Sequence, residues 1–229
     1  MYRERPAGIA GSILWTSADR GDARESRVLP DGCVDLLWSS RAGLLVAGPD
    51  RTAFLSVSAP GERWTGLRLP PGVGPAVLGV PADELRDARV PLAALWGERV
   101  VAGLTERASA DAASVLLELV ARRLRAAGGP DPLGARVAAA AAAGLPVAAI
   151  AAEVGLGPRA LHRRSRQLFG YGPKTLARIL RMRRALAVAR SGTPLAEVAA
   201  RCGYADQAHL TRDVRELAGA PPAALLAAG

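Results

Sequence analysis

Two nine-residue segments in the C-terminal half repeat each other, and this repeat limits that half to a helical architecture. Val147-Ala148-Ala149-Ile150-Ala151-Ala152-Glu153-Val154-Gly155 aligns with Leu195-Ala196-Glu197-Val198-Ala199-Ala200-Arg201-Cys202-Gly203 at an offset of 48. Each has aliphatic residues at positions one and four, alanines at five and six, and glycine at nine. Alanines let a second helix approach closely, and the glycine ends the helix in a left-handed cap that turns the chain. A second helix follows each turn, at 161–169 before Gly170 and at 210–218 before Gly219, now at an offset of 49. The second turn is therefore one residue longer. Each unit closes on a proline (Pro173, Pro222) with a leucine three residues on (Leu176, Leu225). Two helices about a glycine-containing turn form a helix-turn-helix, whose second helix enters the DNA major groove.

Helical hairpins also occur without DNA, and charge separates the two readings. The net charge is +9, but residues 1–130 hold 16 arginines against 15 acids, while residues 131–229 hold 14 basic residues against 6 acids. Between Arg159 and Arg190 there are ten basic residues and no acid. A GC-rich genome would raise arginine everywhere; it would not strip acids from one segment. Such one-sided charge points to a polyanion partner for that half, and for a helix-turn-helix that partner is double-stranded DNA. In the first reading helix Leu161, Leu168 and Phe169 face inward, which leaves Arg159, His162, Arg163 and Arg166 outward. In the second, Asp206 is the expected N-cap, and Gln207, His209 and Arg212 project on one side. These residue types hydrogen-bond base edges. His162 and His209 are either base or phosphate contacts or ordinary surface histidines.

At this point the C-terminal hundred residues resemble the AraC/XylS family of transcription regulators. The resemblance is carried by Ala199-Ala200-Arg201-Cys202-Gly203-Tyr204-Ala205-Asp206-Gln207-Ala208-His209-Leu210-Thr211-Arg212, by Gly219-Ala220-Pro221-Pro222, and in the first unit by Gly170-Tyr171-Gly172-Pro173-Lys174. It implies that the two helices read successive major-groove segments, with base contacts from Arg159, His162, Arg163, Gln207, Ala208, His209 and Arg212. Arg164, Arg166, Lys174 and Arg215 are then the phosphate ligands. The linking helix 173–190 spans about 27 Å at 1.5 Å per residue. That suits readers about one DNA turn apart. Its basic residues Arg178, Arg181 and Arg184 meet phosphate or solvent. Ser165 and Val214 stand where the family usually has phenylalanine, and imply a looser core.

The expected fold class is α+β: a β-rich barrel or sandwich-like domain with helices, then an all-α domain of two helix-turn-helix motifs joined by a long helix. Short apolar runs at 9–15, 34–38, 44–47, 53–57, 64–69 and 76–80 read as strands separated by Gly and Pro turns. A helix is expected to start at Pro81, and an amphipathic one to cover 109–126. Its apolar face (Ala112, Val115, Leu116, Leu119, Val120, Leu124) packs on its own domain or pairs with a second copy in a homodimer. Gly128-Gly129-Pro130-Asp131-Pro132 reads as a hinge. The division is thus 1–127 for sensing, 128–132 as hinge, and 133–229 for DNA binding.

Leu29-Pro30-Asp31-Gly32-Cys33-Val34-Asp35-Leu36-Leu37-Trp38, Ala47-Gly48-Pro49 and Gly66-Leu67-Arg68 resemble a β-rich domain found ahead of AraC-type DNA-binding domains. That likeness implies sensing of a small-molecule effector or dimerisation. The candidate pocket residues are Trp15, Asp31, Cys33, Asp35, Trp38, Trp64 and Arg68. The tryptophans otherwise fill the core, Pro30-Asp31-Gly32 makes a tight turn, and Asp35 bonds at a strand end. A Cys33 nucleophile would need a base, and the N-terminal half has no histidine, so enzymatic activity is not expected. No metal-ligand spacing occurs, no cofactor is expected, and two distant cysteines read as reduced thiols. No apolar run marks a signal peptide or a membrane span, so a soluble cytoplasmic protein is expected.

Overall fold

The computed structural model describes residues 2–18 and 24–227. Strands β1 (Tyr2–Pro6), β2 (Ile13–Ala18), β3 (Arg24–Val28), β4 (Val34–Ser39), β5 (Gly43–Ala47), β6 (Phe54–Ser58) and β7 (Arg63–Leu69) come first. Helix α1 (Gly74–Leu78), a 3-10 turn (Ala82–Glu84), strand β8 (Arg89–Pro91) and helices α2 (Leu92–Trp96) and α3 (Glu98–Ala126) follow. Six strands form an antiparallel sheet in the order β1-β2-β7-β4-β5-β8, and β3 pairs with β6 in a separate ribbon.

Alternation along β4 decides what lies on each side of the sheet. Val34, Leu36 and Trp38 join Leu14, Val46, Leu67 and Leu69 in a core with α3. Asp35 and Leu37 face the other way, toward the ribbon, and sheet and ribbon enclose a cavity in a sandwich-like arrangement. The six apolar residues of α3 named above are all buried in this core. Their face is thus covered by its own domain.

Several sequence expectations shift here. The run 76–80 is not a strand but part of α1, because Pro75 starts a helix and Gly79 ends it with φ 81°. Pro81 opens only the single 3-10 turn, after which β8 pairs with β5. The helix expected from residue 109 begins at Glu98 and breaks at Asp111 (φ −147°, ψ 86°). The Asp111 carboxylate accepts the Ser114 N–H at 3.1 Å, as an N-cap does. Strands β1, β3 and β8 escaped the sequence reading because their apolar residues are few.

Beyond a break containing Gly128 and Gly129 (φ 74° and 97°), the chain is helical among its described residues. The helices are α4 (Pro132–Ala142), α5 (Val147–Glu153), α6 (Pro158–Phe169), α7 (Pro173–Arg190), α8 (Leu195–Arg201), α9 (Gln207–Ala218) and α10 (Pro222–Ala227). A second core gathers Ile150, Leu161, Phe169, Ile179, Met182, Val198, Leu210 and Val214 around α7. Ser165 and Val214 are 1 % and 0 % exposed, so both sit in that core, and the Ser165 hydroxyl has no hydrogen-bond partner. Among the described residues no helix is long and apolar enough to cross a membrane.

Candidate nucleic-acid interface and ligand cavity

Helices α5–α6 and α8–α9 are the two helix-turn-helix pairs. Gly170 and Gly219 end α6 and α9 in the left-handed conformation (φ 84° and 68°). Asp206 caps α9 by accepting the His209 N–H at 2.6 Å. Arg159, His162, Arg163, Gln207, Ala208 and Arg212 are exposed, as are Lys174 and Arg215. Arg159, Arg163, Lys174, Arg212 and Arg215 carry no hydrogen bond or ion pair to any described residue.

The histidines are more constrained. The His162 ring lies so close to Gly172 that a Cβ there would come within 2.8 Å of it. His209 stacks edge-on against Tyr204 with ring centroids 5.2 Å apart. Its Nδ1 accepts the Ala205 N–H at 3.3 Å. A neutral imidazole with Nδ1 accepting carries its proton on Nε2, where it can donate to an acceptor such as guanine N7 or O6.

Two of the four expected phosphate ligands are engaged within the chain. Arg166 pairs with Asp83 at 2.8 Å, and Arg164 pairs with Asp131, the N-cap of α4. The α7 face of Arg178, Arg181 and Arg184, expected to meet phosphate or solvent, is turned onto the second unit. These arginines bond Asp213 and the carbonyls of Ala142, Cys202 and Gly203. The N-terminal half also grips the C-terminal ends of α6 and α9. Arg86 Nη1 donates to Gly170 O at 3.1 Å, beyond α6. In the last turn of α9, Arg27 Nη1 donates to Ala218 O at 3.1 Å and Ala53 N to Leu217 O at 2.7 Å.

The cavity between sheet and ribbon has a volume of about 590 Å³. Trp15, Asp31, Cys33, Asp35, Trp64 and Arg68 line it, as do Arg183 and Arg190 of α7. Trp38 does not; it shares the parity of Leu36 on β4 and is buried on the helix face, with Arg63 over its ring. Trp15 crosses the β7 strand at Gly66, its partner in register, to donate its indole N–H to Asp35 Oδ1 at 2.7 Å. A Cβ on Gly66 would lie 2.3 Å from that ring. Arg68 is the cross-strand partner of Asp35 and lies 3.5 Å from Asp31 and 3.7 Å from Asp35. Sequence reasoning missed Arg89, whose guanidinium pairs with Asp50 at 2.6 Å and stacks on Phe54 at the cavity wall. It also missed Arg183 and Arg190, since nothing local in α7 ties them to a distant sheet.

Burial pushes the Asp35 carboxyl up to about 6, against the pull of Arg68. It likewise pushes the Cys33 thiol well up, with Asp31 and Asp35 adding to it. A nucleophilic cysteine needs the opposite shift. Between about pH 4 and 6 the folded chain therefore holds a proton on Asp35 that the unfolded chain, at its ordinary 3.8, has released. Stability contributed by this group is lost as pH rises from about 4 through 6. We expect Trp fluorescence to titrate with a midpoint near 6, and Asp35→Asn to remove that step. A midpoint near 4 in the wild type would contradict the assignment.

Fold and site together combine a β-rich half that holds a cavity with a helical half built of two helix-turn-helix pairs. Residues 150–228 match the family described as "Helix-turn-helix domain", and residues 12–91 match "Domain of unknown function (DUF6597)". Residues 150–228 therefore carry a helix-turn-helix domain of that family. A search of curated proteins finds no match. Among solved structures, a probable AraC family transcriptional regulator from Rhodopseudomonas palustris is 22% identical, with 43% of this chain and 97% of that chain covered and a TM-score of 0.38. ToxT from Vibrio cholerae with an unsaturated fatty acid bound is 9% identical, with 94% of each chain covered and a TM-score of 0.49.

Proposed function

We propose that this chain is a sequence-specific transcription regulator that reads two successive major-groove segments with α6 and α9. The observation that carries the reading is the sorting of its cations. Arginines on the inner sides of the domain are consumed by Asp131, Asp213 and backbone carbonyls, whereas Arg159, Arg163 and Arg212 stand exposed and uncompensated on the reading helices. A hairpin built only for packing has no use for that arrangement. Base contacts come from Arg159, His162, Arg163, Gln207, Ala208, His209 and Arg212. Lys174 and Arg215 contact phosphate directly, and Arg164 and Arg166 do so if their carboxylate partners yield.

Residues 1–127 act as a sensing domain hinged at 128–132 to the DNA-binding domain 133–229. A small-molecule effector occupies the cavity, where it would meet Trp15 and Asp35 on the sheet side and Arg183 on the α7 side. Binding selection on randomised duplexes with the full-length protein tests the reading. The expected product is a site of about 15–20 bp with two half-sites one turn apart. Equal binding to all sequences, collapsing steeply as salt rises, would mean non-specific compaction instead.

A further inference from the structure

Arg178, Arg181 and Arg184 recur every three residues on α7 and so share one face. Arg178 meets Asp213 Oδ1 through Nε at 2.8 Å and Nη2 at 2.7 Å, and Glu216 at 2.8 Å. Arg181 lies over the Tyr204 ring, 4.2 Å from its centroid, with Nη2 3.3 Å from Asp213 Oδ2. Tyr204 donates its hydroxyl to that same oxygen at 3.1 Å. Asp213, on the inner face of α9, is only 5 % exposed. Arg184 bridges the two units: it donates to Ala142 O at the end of α4 at 2.8 Å, and to Cys202 O at the end of α8 at 3.0 Å.

We propose that this arginine ladder fixes the separation and rotation of the two reading helices, and so decides which half-site spacing the protein accepts. Asp213, Arg178, Arg181 and Arg184 are positioning residues for DNA recognition. The proposal rests on the reading of α6 and α9 as the DNA readers.

Across helix pairs packed by apolar ridges, crossing angles scatter by about 15–20° around their preferred classes, so apolar packing by itself does not specify one angle. Charge-assisted pairs of a guanidinium with a carboxylate restrict both distance and angle. The repeat places such a pair at the same position in each unit, because Arg164 and Asp213 correspond at the offset of 49. Its polarity is reversed. In the first unit the arginine of α6 pairs with Asp131 of α4; in the second the aspartate of α9 pairs with arginines of α7. Arg184 then links α4 to α8. Each reading helix is thereby referenced to one scaffold. Adding one base pair shifts a half-site by about 3.4 Å and turns it by about 34°. A rigid pair cannot follow, and one reader loses its base contacts, each worth roughly fivefold to 150-fold in affinity.

The test uses full-length protein and duplexes carrying both selected half-sites, with the spacer changed by one or two base pairs in either direction. The wild type should prefer one spacer by about tenfold or more over its neighbours. Asp213→Asn and Arg184→Met should keep the base preferences of each half-site, while the spacer preference falls to within about threefold, the loss expected when the frame no longer holds angle. Asp213→Asn alters a buried charge, so circular dichroism melting accompanies it. Arg184→Met serves as the second variant, since water can take over its two carbonyl partners. Variants that lose affinity equally at every spacer, with the preference unchanged, would overturn the proposal. A wild type without half-site preference would overturn the DNA-reading assignment beneath it.

Discussion

Gly48→Ala should destabilise the protein by about 3 kcal/mol or more, at or above the upper end for overpacked sites. Gly48 follows β5, and a Cβ built there would lie 1.6 Å from Leu85 O and 2.5 Å from its carbonyl carbon. No side chain can swing away to make room, because both obstructing atoms belong to backbone. The strand end is also fixed, since Gly48 N donates to Ala88 O at 2.9 Å. Relief therefore requires moving Leu85 and the 3-10 turn Ala82–Glu84 that precedes it. That turn holds Asp83, the partner of Arg166, and is followed by Arg86, the partner of Gly170 O. Strain at Gly48 would thus reach α6. At about 2–4 °C per kcal/mol for a chain of this size, the unfolding midpoint should fall by roughly 10 °C. Gly103→Ala is the matched control: Gly103 lies within α3, and nothing lies within 4 Å of its added Cβ. There alanine should raise stability by about 0.5–1 kcal/mol through helix propensity. Thermal unfolding of the two variants side by side would decide it, and a fall under about 2 °C for Gly48→Ala would refute the packing argument.

Gly48 also illustrates how much of this molecule can be read from its sequence. It lies in Ala47-Gly48-Pro49, and Gly66 lies in Gly66-Leu67-Arg68, two short motifs that stood out before any fold was known. Their physical reasons, a backbone carbonyl above one and the Trp15 ring across the other, are long-range and therefore invisible locally. The helical half was legible nearly to the residue because each boundary carries its own signal: Pro158 and Pro173 at helix starts, Gly170 and Gly219 at ends, Asp206 as cap. In the β-rich half the boundaries are set by pairing. The exposed strand β1 lacks an apolar pattern, and the run 76–80 has one without being a strand. Trp38 could have been placed correctly by parity alone, since it alternates with Asp35 and Leu37 along β4. The arginines on α7 were misjudged for another reason. Helical spacing identifies which residues share a face but not what that face meets, and here it meets Asp213 rather than phosphate or solvent.

That distinction between engaged and free arginines sharpens the expectation for Arg163 and Arg212. Both are exposed, both lack an intramolecular partner, and they stand on different reading helices. Each truncation to alanine should weaken binding to the selected site by about 1–3 kcal/mol. Because they sit on separate helices with no shared partner, the effects should add. Arg163→Ala/Arg212→Ala should then lose about 30-fold to 10⁴-fold in affinity for the selected site, at 1.4 kcal/mol per factor of ten. Neither arginine supports the fold, so melting should be unchanged within about 0.5 kcal/mol, as for surface substitutions generally. Lys174→Ala provides the contrast. A phosphate ligand removed should weaken binding evenly across sequences and reduce the salt slope by about one. Titrations of all four variants on selected and scrambled duplexes at two salt concentrations separate these outcomes. If the double variant lost affinity equally on both duplexes and its salt slope fell by about two, Arg163 and Arg212 would be phosphate ligands. Base reading would then rest on Arg159, Gln207, Ala208 and the histidines.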